Sequence, residues 1–261
     1  METPAKTKGI PASTLKVIAI IFMAIGTFSA PFLRVGVDVF GALTVVLCCF
    51  LLTEGLDHTI SRRGYLLRLA VFAIMSEIPF DLINFGTFNI LYQNAAFALA
   101  LSLLTIMAVD AVMKKWHSVP AALLPAFLGM AVSELIRADY GCIAVMTTVF
   151  FYFLKEKRER KAEFIAGGVV VYTIGLVIHD LCDLFFASLW DKTLSGDVRL
   201  FPYTMIWYPF IILFVVAGLV FLFFYNGKKG YQPAKIGYYL FYPLHMLLFP
   251  LIVFFINLVS Q

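Results

Sequence analysis

The sequence predicts an all-α polytopic membrane protein made of a single domain, residues 1–261. Of these residues, 62% are hydrophobic and only 14% are charged, and the mean hydropathy is +0.92. Soluble domains carry about a quarter charged residues, so this composition excludes an ordinary soluble protein. The apolar runs lie so close together that no soluble domain fits between them. The net charge of +4 does not indicate nucleic-acid binding, because the basic residues lie in short loops.

Runs of about 20 apolar residues can cross a bilayer as helices, and the chain contains nine candidates. They lie near 15–33, 35–56, 66–85, 95–113, 119–135, 140–155, 164–189, 201–225 and 236–259. The first run follows several lysines and has no convincing small-residue cleavage site, so we interpret it as a span rather than a cleaved signal peptide. The fifth run is short and contains Pro120 and Pro125. A re-entrant segment is the alternative there.

The distribution of Lys and Arg supports nine crossings. With the N-terminus inside, four of the 20 basic residues fall in outer segments and the remaining 16 in inner ones; the outer four are Arg34, Arg137, Lys192 and Arg199. Cytoplasmic loops of membrane proteins are enriched in Lys and Arg. The sequence therefore predicts a cytoplasmic N-terminus and an external C-terminus.

The stretch 54–81 concentrates charge in a chain that is otherwise mostly apolar. Glu54 and His58 are four residues apart, and so are Glu77 and Asp81, which places each pair on one face of a helix. Charged residues at membrane depth are costly and mark functional sites. The two pairs are too far apart along the chain to contact one ligand together, so we expect a cytoplasmic entrance and a separate, deeper acidic stripe.

Further polar residues lie in or beside the other predicted spans. His245 falls near the middle of the last one, where a neutral imidazole could act as a general base, although a hydrogen-bonded core histidine is an equal alternative. His179 and Asp183 have a spacing that metal ligands use, but no third ligand is near in sequence, so a buried polar network is favoured and no metal site is expected. The acid–base–acid turn of Glu134, Arg137 and Asp139 is interpreted as local ion pairing or a polar site.

Six short stretches, taken in order along the chain, resemble the TraX family of bacterial inner-membrane proteins, named for pilin acetylation in conjugative plasmids. They are LKVIAI (15–20), EG followed by Thr59 (54–59), YLLRL (65–69), SEIPFDL (76–82), ADYG (138–141) and FYPLH (241–245). The resemblance extends over nearly the whole chain. No one of these stretches is specific by itself.

This resemblance implies a multi-pass acetyltransferase of the bacterial inner membrane. Such an enzyme would move acetyl from cytoplasmic acetyl-CoA to a hydroxyl or to an amine, such as the N-terminus of a peptide or pilin, or to a small molecule. The implied site residues fall into three sets: catalytic His245, His58, Glu54, Glu77 and Asp81; cofactor-binding Arg62, Arg63 and Arg68; and substrate-binding Asn89, Asn94, Asp139, Tyr140 and Tyr242. Guanidinium groups match phosphate oxygens, but the three arginines can equally be a positive-inside anchor.

The first span departs from the family pattern. Family members typically carry an Asp-His pair where this chain has Gly26 and Thr27, and the arginine expected early in the second span is absent beside Asp38. Either the chain lacks this chemistry or another residue supplies the base. The rival interpretation is a non-catalytic binding protein or proton-coupled carrier, which intramembrane acids such as Asp180 and Asp183 favour. Against a carrier, the two halves of the chain show no inverted repeat.

Overall fold

The computed structural model describes residues 9–29, 36–190, 205–231, 237, 240–248 and 251–252. Within these residues the chain forms helices and no strand. The α-helices are α1 (Ala12–Ser29), α2 (Gly36–His58), α3 (Arg62–Phe85), α4 (Ala95–Trp116), α5 (Val119–Leu135), α6 (Gly141–Leu154), α7 (Lys161–Trp190) and α8 (Tyr208–Phe223). A 3₁₀ turn, Lys155–Glu159, links α6 to α7. Residues 240–248, hereafter the C-terminal stretch, are also helical.

Side chains that cap the helices explain several of these boundaries. Ser61, Asn94 and Ser118 each accept a hydrogen bond from a backbone N–H in the first turn of α3, α4 and α5, respectively. Such caps satisfy donors that have no partner within the helix. α3 ends at Gly86, whose φ of 67° is the left-handed conformation that glycine adopts without strain.

Four helices are long and apolar enough to cross a membrane: Ala12–Ser29, Asp38–His58, Ala95–Trp116 and Lys161–Phe186. α5 and α8 are apolar but shorter, and α3 has the length but carries five charged residues. The described residues thus confirm the predicted class, an all-α protein with helices that can span a membrane. The number of nine crossings and the orientation of the chain stay predictions.

α2 lies at the centre of the bundle, packed against α1, α4, α6 and α8. Its Leu43, Leu47 and Phe50 are fully buried. The ring of Phe50 makes edge-to-face contacts with Phe151 of α6 and with Tyr225 after α8, at centroid distances of 5.5 and 5.4 Å. Edge-to-face pairs add stabilisation beyond the area that they bury.

The outer faces of α3 and α5 are apolar. More than half of the surface of Leu67, Ile74, Ile78, Phe127 and Leu135 is exposed. A soluble monomer rarely exposes apolar side chains in such rows, whereas a helix surrounded by lipid presents them to the hydrocarbon. These faces are where we expect the acyl chains of the bilayer.

The helices run antiparallel, so their ends group into two polar regions. We call one end of the bundle the basic end. It is formed by the start of α1 and α3 and by the end of α2, α4 and α6, and it holds Arg62, Arg63, Arg68, Lys114, Lys115 and Lys155. The opposite, acidic end holds Glu77, Asp81, Glu134, Asp139 and Asp183. Arg137 is the basic residue that the structure describes at the acidic end.

Candidate functional site

At the basic end, the predicted pair of Glu54 and His58 is part of an ion-pair network. Glu54 lies 3.8 Å from the His58 imidazole and 3.4 Å from the Lys155 ammonium, and it accepts a 2.9 Å hydrogen bond from the Tyr225 hydroxyl. Lys155 also contacts Asp57. This arrangement ties α2 to α6 and α8. Its polar atoms point to each other rather than into a cavity.

The three arginines predicted to bind cofactor phosphates differ in their surroundings. Arg62 donates to Asp110 of α4, which also accepts from Lys114 at 2.7 Å and from the Tyr152 hydroxyl at 3.0 Å. Arg63 and Arg68 are exposed. Of the predicted set, these two are the side chains that present a guanidinium group to an incoming anion.

At the acidic end, Glu77 and Asp81 are buried, with 8% and 1% of their surface exposed. One oxygen of Glu77 accepts from the backbone and side-chain amides of Asn94, and one oxygen of Asp81 accepts from the backbone N–H of Asn89 at 3.0 Å. The second oxygen of each carboxylate is buried without a hydrogen-bond partner. No lysine, arginine or histidine among the described residues forms an ion pair with either acid.

The structure keeps the two halves of the stretch 54–81 apart, as the sequence predicts. Fifteen residues of α3 separate Arg62 from Glu77, and at 1.5 Å per residue this is about 22 Å. Glu54, His58 and the arginines therefore cannot contact the same reacting atoms as Glu77 and Asp81.

His245 belongs to the C-terminal stretch and faces α1, with 2% of its surface exposed. Its Nε2 atom is 3.1 Å from the Thr27 hydroxyl, and its Nδ1 atom is 3.0 Å from the carbonyl oxygen of Phe241. The Phe241 ring stacks on the imidazole at a centroid distance of 5.3 Å and an interplanar angle of 4°. His245 thus contacts one of the two residues that stand where the family pattern has its Asp-His pair.

The predicted substrate-binding residues gather at the acidic end. The backbones of Gln93 and Asp139 are hydrogen-bonded at 2.8 Å, which brings the loop before α4 beside the loop before α6. Tyr242 interacts electrostatically with Asp139 and Glu77, and the backbone N–H of Ala95 lies beside its buried hydroxyl. Tyr140 interacts with Tyr242 and Asp139 in the same way. These contacts place three of the five predicted residues around one buried region.

The two asparagines in that set have structural tasks. Asn94 is fully buried, caps α4 and donates to the carbonyl of Ala73 at 2.9 Å. The Asn89 side chain accepts from the backbone N–H of Leu91 at 2.9 Å. Both hold the loop before α4 against α3, and the side-chain amide of Asn94 is occupied by Ala73 and Glu77.

The sequence did not predict the buried pair of Glu134 and His179 at this end. Glu134, at the end of α5, lies 3.0 Å from Nδ1 of His179 in α7 and accepts a 2.6 Å hydrogen bond from the backbone N–H of Cys142 at the start of α6. Gly141 admits this carboxylate, because a Cβ atom there would collide with the nearer Glu134 oxygen. Glu134 and Arg137 were expected to pair within the turn. In the structure their side chains instead face His179 and Asp183 of α7. The i, i+4 spacing of His179 and Asp183 indicated that these side chains share one face of a helix. It did not indicate that Glu134 is the partner of His179.

Arg137 and His179 both lie beside Asp183, and Arg137 supplies a second positive charge there. Its guanidinium group lies 3.7 Å above the Tyr92 ring and 4.0 Å from Asp183, whose other oxygen is 4.0 Å from Nε2 of His179. Asp139 lies in the turn between α5 and α6, where burial raises its pKa to about 6. Among the described residues, no group of three or more His, Cys, Asp or Glu side chains could hold a metal ion.

An apolar groove opens beside Thr27. It has a volume of about 560 Å³ and is lined by α1 and the C-terminal stretch, through Ala24, Ile25, Phe28, Ser29, Phe241 and two further isoleucines. A water-poor groove of this kind favours apolar parts of a substrate. Its walls include Phe28, which follows Thr27 in sequence, and Phe241, which stacks on His245.

Comparison with known proteins agrees with the resemblance seen in the sequence. The family model described as TraX protein matches residues 12–253. The chain is 31% identical over 259 residues to a probable fimbrial assembly protein, FimC of serogroup H1, from Dichelobacter nodosus, covering 91% of this chain and 93% of the relative. No solved structure matches. The family model and the relative each extend over most of the chain, and the chain belongs to the TraX family.

Proposed function

We propose that this protein is a multi-pass acetyltransferase of the bacterial inner membrane that moves acetyl from cytoplasmic acetyl-CoA to an amine or hydroxyl acceptor. The observation that carries the proposal is the environment of His245. A histidine held by a backbone carbonyl at Nδ1 keeps its proton there, which leaves Nε2 as the proton acceptor. The side chain is thus fixed in the tautomer that a general base requires.

The acceptor has to lose a proton for the transfer to proceed. An ammonium group has no lone pair with which to attack a thioester, so an amine acceptor must first be deprotonated. The carboxylates of the acidic end, Glu77 and Asp81 among them, would attract such a cation and hold it near His245. A peptide or pilin N-terminus fits this description, and the fimbrial assembly protein among the relatives is consistent with a pilus-related acceptor.

Acetyl-CoA would enter from the basic end. Arg63 and Arg68 are the exposed guanidinium groups available to its phosphates. The ring of Tyr242 lies 5.8 Å from that of Phe72, which is nine residues and about 14 Å further along α3 than Arg63. The extended arm of the cofactor would have to cover at least this distance to bring its thioester to His245.

The test is acetyl transfer by the purified full-length chain in proteoliposomes. With radiolabelled acetyl-CoA and a short peptide that has a free N-terminus, we expect label on the peptide. His245→Asn should lower the rate on the order of 10²- to 10⁴-fold, the usual contribution of a general base. His117→Asn is the matched control, since His117 is exposed and caps the end of α4 in the left-handed conformation, which asparagine tolerates.

A second candidate function, a proton-coupled carrier, is favoured by one observation: the buried oxygens of Glu77 and Asp81 that have no partner. A carboxylate that alternately binds and releases a proton needs such a free oxygen. If proteoliposomes acidify in response to a solute gradient, and Glu77→Gln abolishes this while acetyl transfer is absent, the carrier function is correct and the transferase function is wrong.

A further inference from the structure

We propose that Thr27 is an acyl-accepting nucleophile, activated by His245, and that the protein carries acetyl as a threonine ester between donor and acceptor. The proposal rests on the acetyltransferase function and specifies how that reaction is divided. The reaction becomes two transfers, from thioester to Thr27 and from Thr27 to the acceptor.

The positions of the protons support this role. The Phe241 carbonyl can only accept, so Nδ1 of a neutral His245 carries the ring proton and Nε2 carries the lone pair. The Thr27 hydroxyl, 3.1 Å away, then donates its proton to Nε2. A hydroxyl that donates to an imidazole, which in turn donates to a third fixed group, is the arrangement that activates nucleophiles.

The hydroxyl has a competing acceptor, and its choice depends on the state of His245. The carbonyl of Met23, one turn earlier in α1, lies 3.2 Å from Thr27 Oγ1. When His245 is protonated, Nε2 becomes a donor, and the hydroxyl turns its proton to Met23. The neutral Thr27 hydroxyl therefore has two acceptors to choose between, and after it loses its proton its oxygen accepts from Nε2–H of His245.

Three other buried threonines in the described part of the chain donate to carbonyl oxygens of the bundle rather than to an imidazole. Thr44 donates to Ala19, Thr53 to Phe50 and Thr148 to Ala144. These bonds satisfy a hydroxyl inside a helical bundle without activating it. A stabilising role alone would be met by the Met23 carbonyl, so it does not require the imidazole beside Thr27.

The surroundings suit an ester intermediate. Phe241 stacks on the imidazole and fixes its plane, and the same ring lines an apolar groove with Phe28, which follows Thr27 in sequence. Together with the acyl chains of a bilayer, these apolar side chains would keep away the water that would otherwise hydrolyse the ester before the acceptor arrives. An acetyl methyl group is small enough to lie in this groove.

In the first half of the reaction, Thr27 Oγ1 attacks the carbonyl carbon of the thioester while its proton moves to Nε2 of His245. The carbon–sulfur bond breaks, the proton passes from Nε2 to the leaving sulfur, and free thiol departs. In the second half the amine nitrogen attacks the threonine ester, His245 takes a proton from the amine and returns it to Oγ1, and the acetylated acceptor leaves.

The experiment uses the purified full-length chain with acetyl-CoA and no acceptor. After an acid quench, we expect one acetyl group per chain, and peptide mass spectrometry should map it to Thr27. The acetyl group should be lost from the chain when the acceptor peptide is added before the quench. Thr27→Val, which removes the hydroxyl at constant shape, should abolish the adduct. Thr27→Ser should retain it. Thr14→Val, the same change near the other end of α1, is the matched control and should label normally.

Initial rates give a second readout that does not depend on a variant. Varying both substrates should yield parallel double-reciprocal lines, which a covalent intermediate produces. Intersecting lines, with no adduct and with activity retained in Thr27→Val, would overturn the role of Thr27 while leaving the transferase function intact. If the wild-type chain neither forms an adduct nor labels an acceptor, both proposals are wrong.

Discussion

The two ends of the bundle treat charge differently. At the basic end, three acids each form an ion pair. Glu54 and Asp57 face Lys155, and Asp110 faces Arg62 and Lys114. At the acidic end, Glu77 and Asp81 are more deeply buried and face none of the described cations. Two buried acids are thus left without a counter-charge in the described part of the chain, whereas the equally buried Glu134 has His179 beside it.

This contrast separates stability from function. Exposed ion pairs contribute little to stability, because solvent screens them and the side chains lose freedom. Buried carboxylates without a cation are costly, so a fold retains them where they do chemistry or where they are held neutral. The basic end is therefore best understood as an ion-paired anchor, and the acidic end as the region where the reaction is proposed.

The largest expected effect on stability concerns the Glu134–His179 pair. His179→Ala leaves Glu134 buried without its cation, and breaking a buried pair in this way costs roughly 3–5 kcal/mol. We expect thermal unfolding in detergent to show this as a large drop in midpoint. The His179→Ala, Glu134→Ala double variant should recover part of the loss, since no uncompensated charge then remains. A drop of less than about 1 kcal/mol would mean that solvent reaches the pair and that the acidic end is open.

A smaller effect is expected from removing helix caps at the two ends. Asn94→Ala removes the cap of α4 and the side-chain amide that binds Glu77, while the backbone N–H of residue 94 still binds it, so the loss should be roughly 2–4 kcal/mol from the cap and the lost charge-assisted hydrogen bond together. Ser118→Ala removes only the cap of α5, near the basic end, and should cost about 1 kcal/mol. Equal losses in chemical denaturation would show that Asn94 acts as a cap alone.

Much of this organisation was predictable from the sequence, and the reasons are local. Apolar runs are visible within one stretch of sequence, and the grouping of Lys and Arg follows from the alternation of antiparallel helices. Asn94, by contrast, was predicted as a substrate-binding residue, and the structure shows it as the cap of α4. The separation of Arg62 from Glu77 needed only the rise per residue of a helix.

The contacts that define the site were not predictable, because they join residues far apart in sequence. Glu134 and His179 are separated by 45 positions, Arg62 and Asp110 by 48, and Thr27 and His245 by 218. Helix periodicity gives the face on which a residue lies but not the helix opposite. Thr27 was therefore noticed only as a departure from the family pattern, and its contact with His245 appeared in the structure.

A pH-dependent effect tests the turn between α5 and α6. Burial raises the pKa of Asp139 to about 6 from an ordinary 3.8, while the nearby His179 lowers it and Asp183 raises it. The folded state then holds the proton more tightly than the unfolded state, so the free energy of unfolding should fall as pH rises from about 4 to about 6, by at most about 1.4 kcal/mol per pH unit. Unfolding midpoints measured across this range should show the slope, and Asp139→Asn should flatten it. An unchanged slope in that variant would assign the proton to another acid.

The smallest expected effect is at the basic end. Arg62→Ala removes one of three partners of Asp110, which keeps Lys114 and the Tyr152 hydroxyl, and the Arg62 side chain is 38% exposed. Because solvent screens the pair, the loss of stability should be within about 1 kcal/mol. Chemical denaturation at low and at high salt measures it, and the difference from wild type should shrink as salt rises. A loss close to that of His179→Ala, independent of salt, would show that the basic end is as closed to water as the acidic end, and the contrast between the two would no longer separate anchor from site.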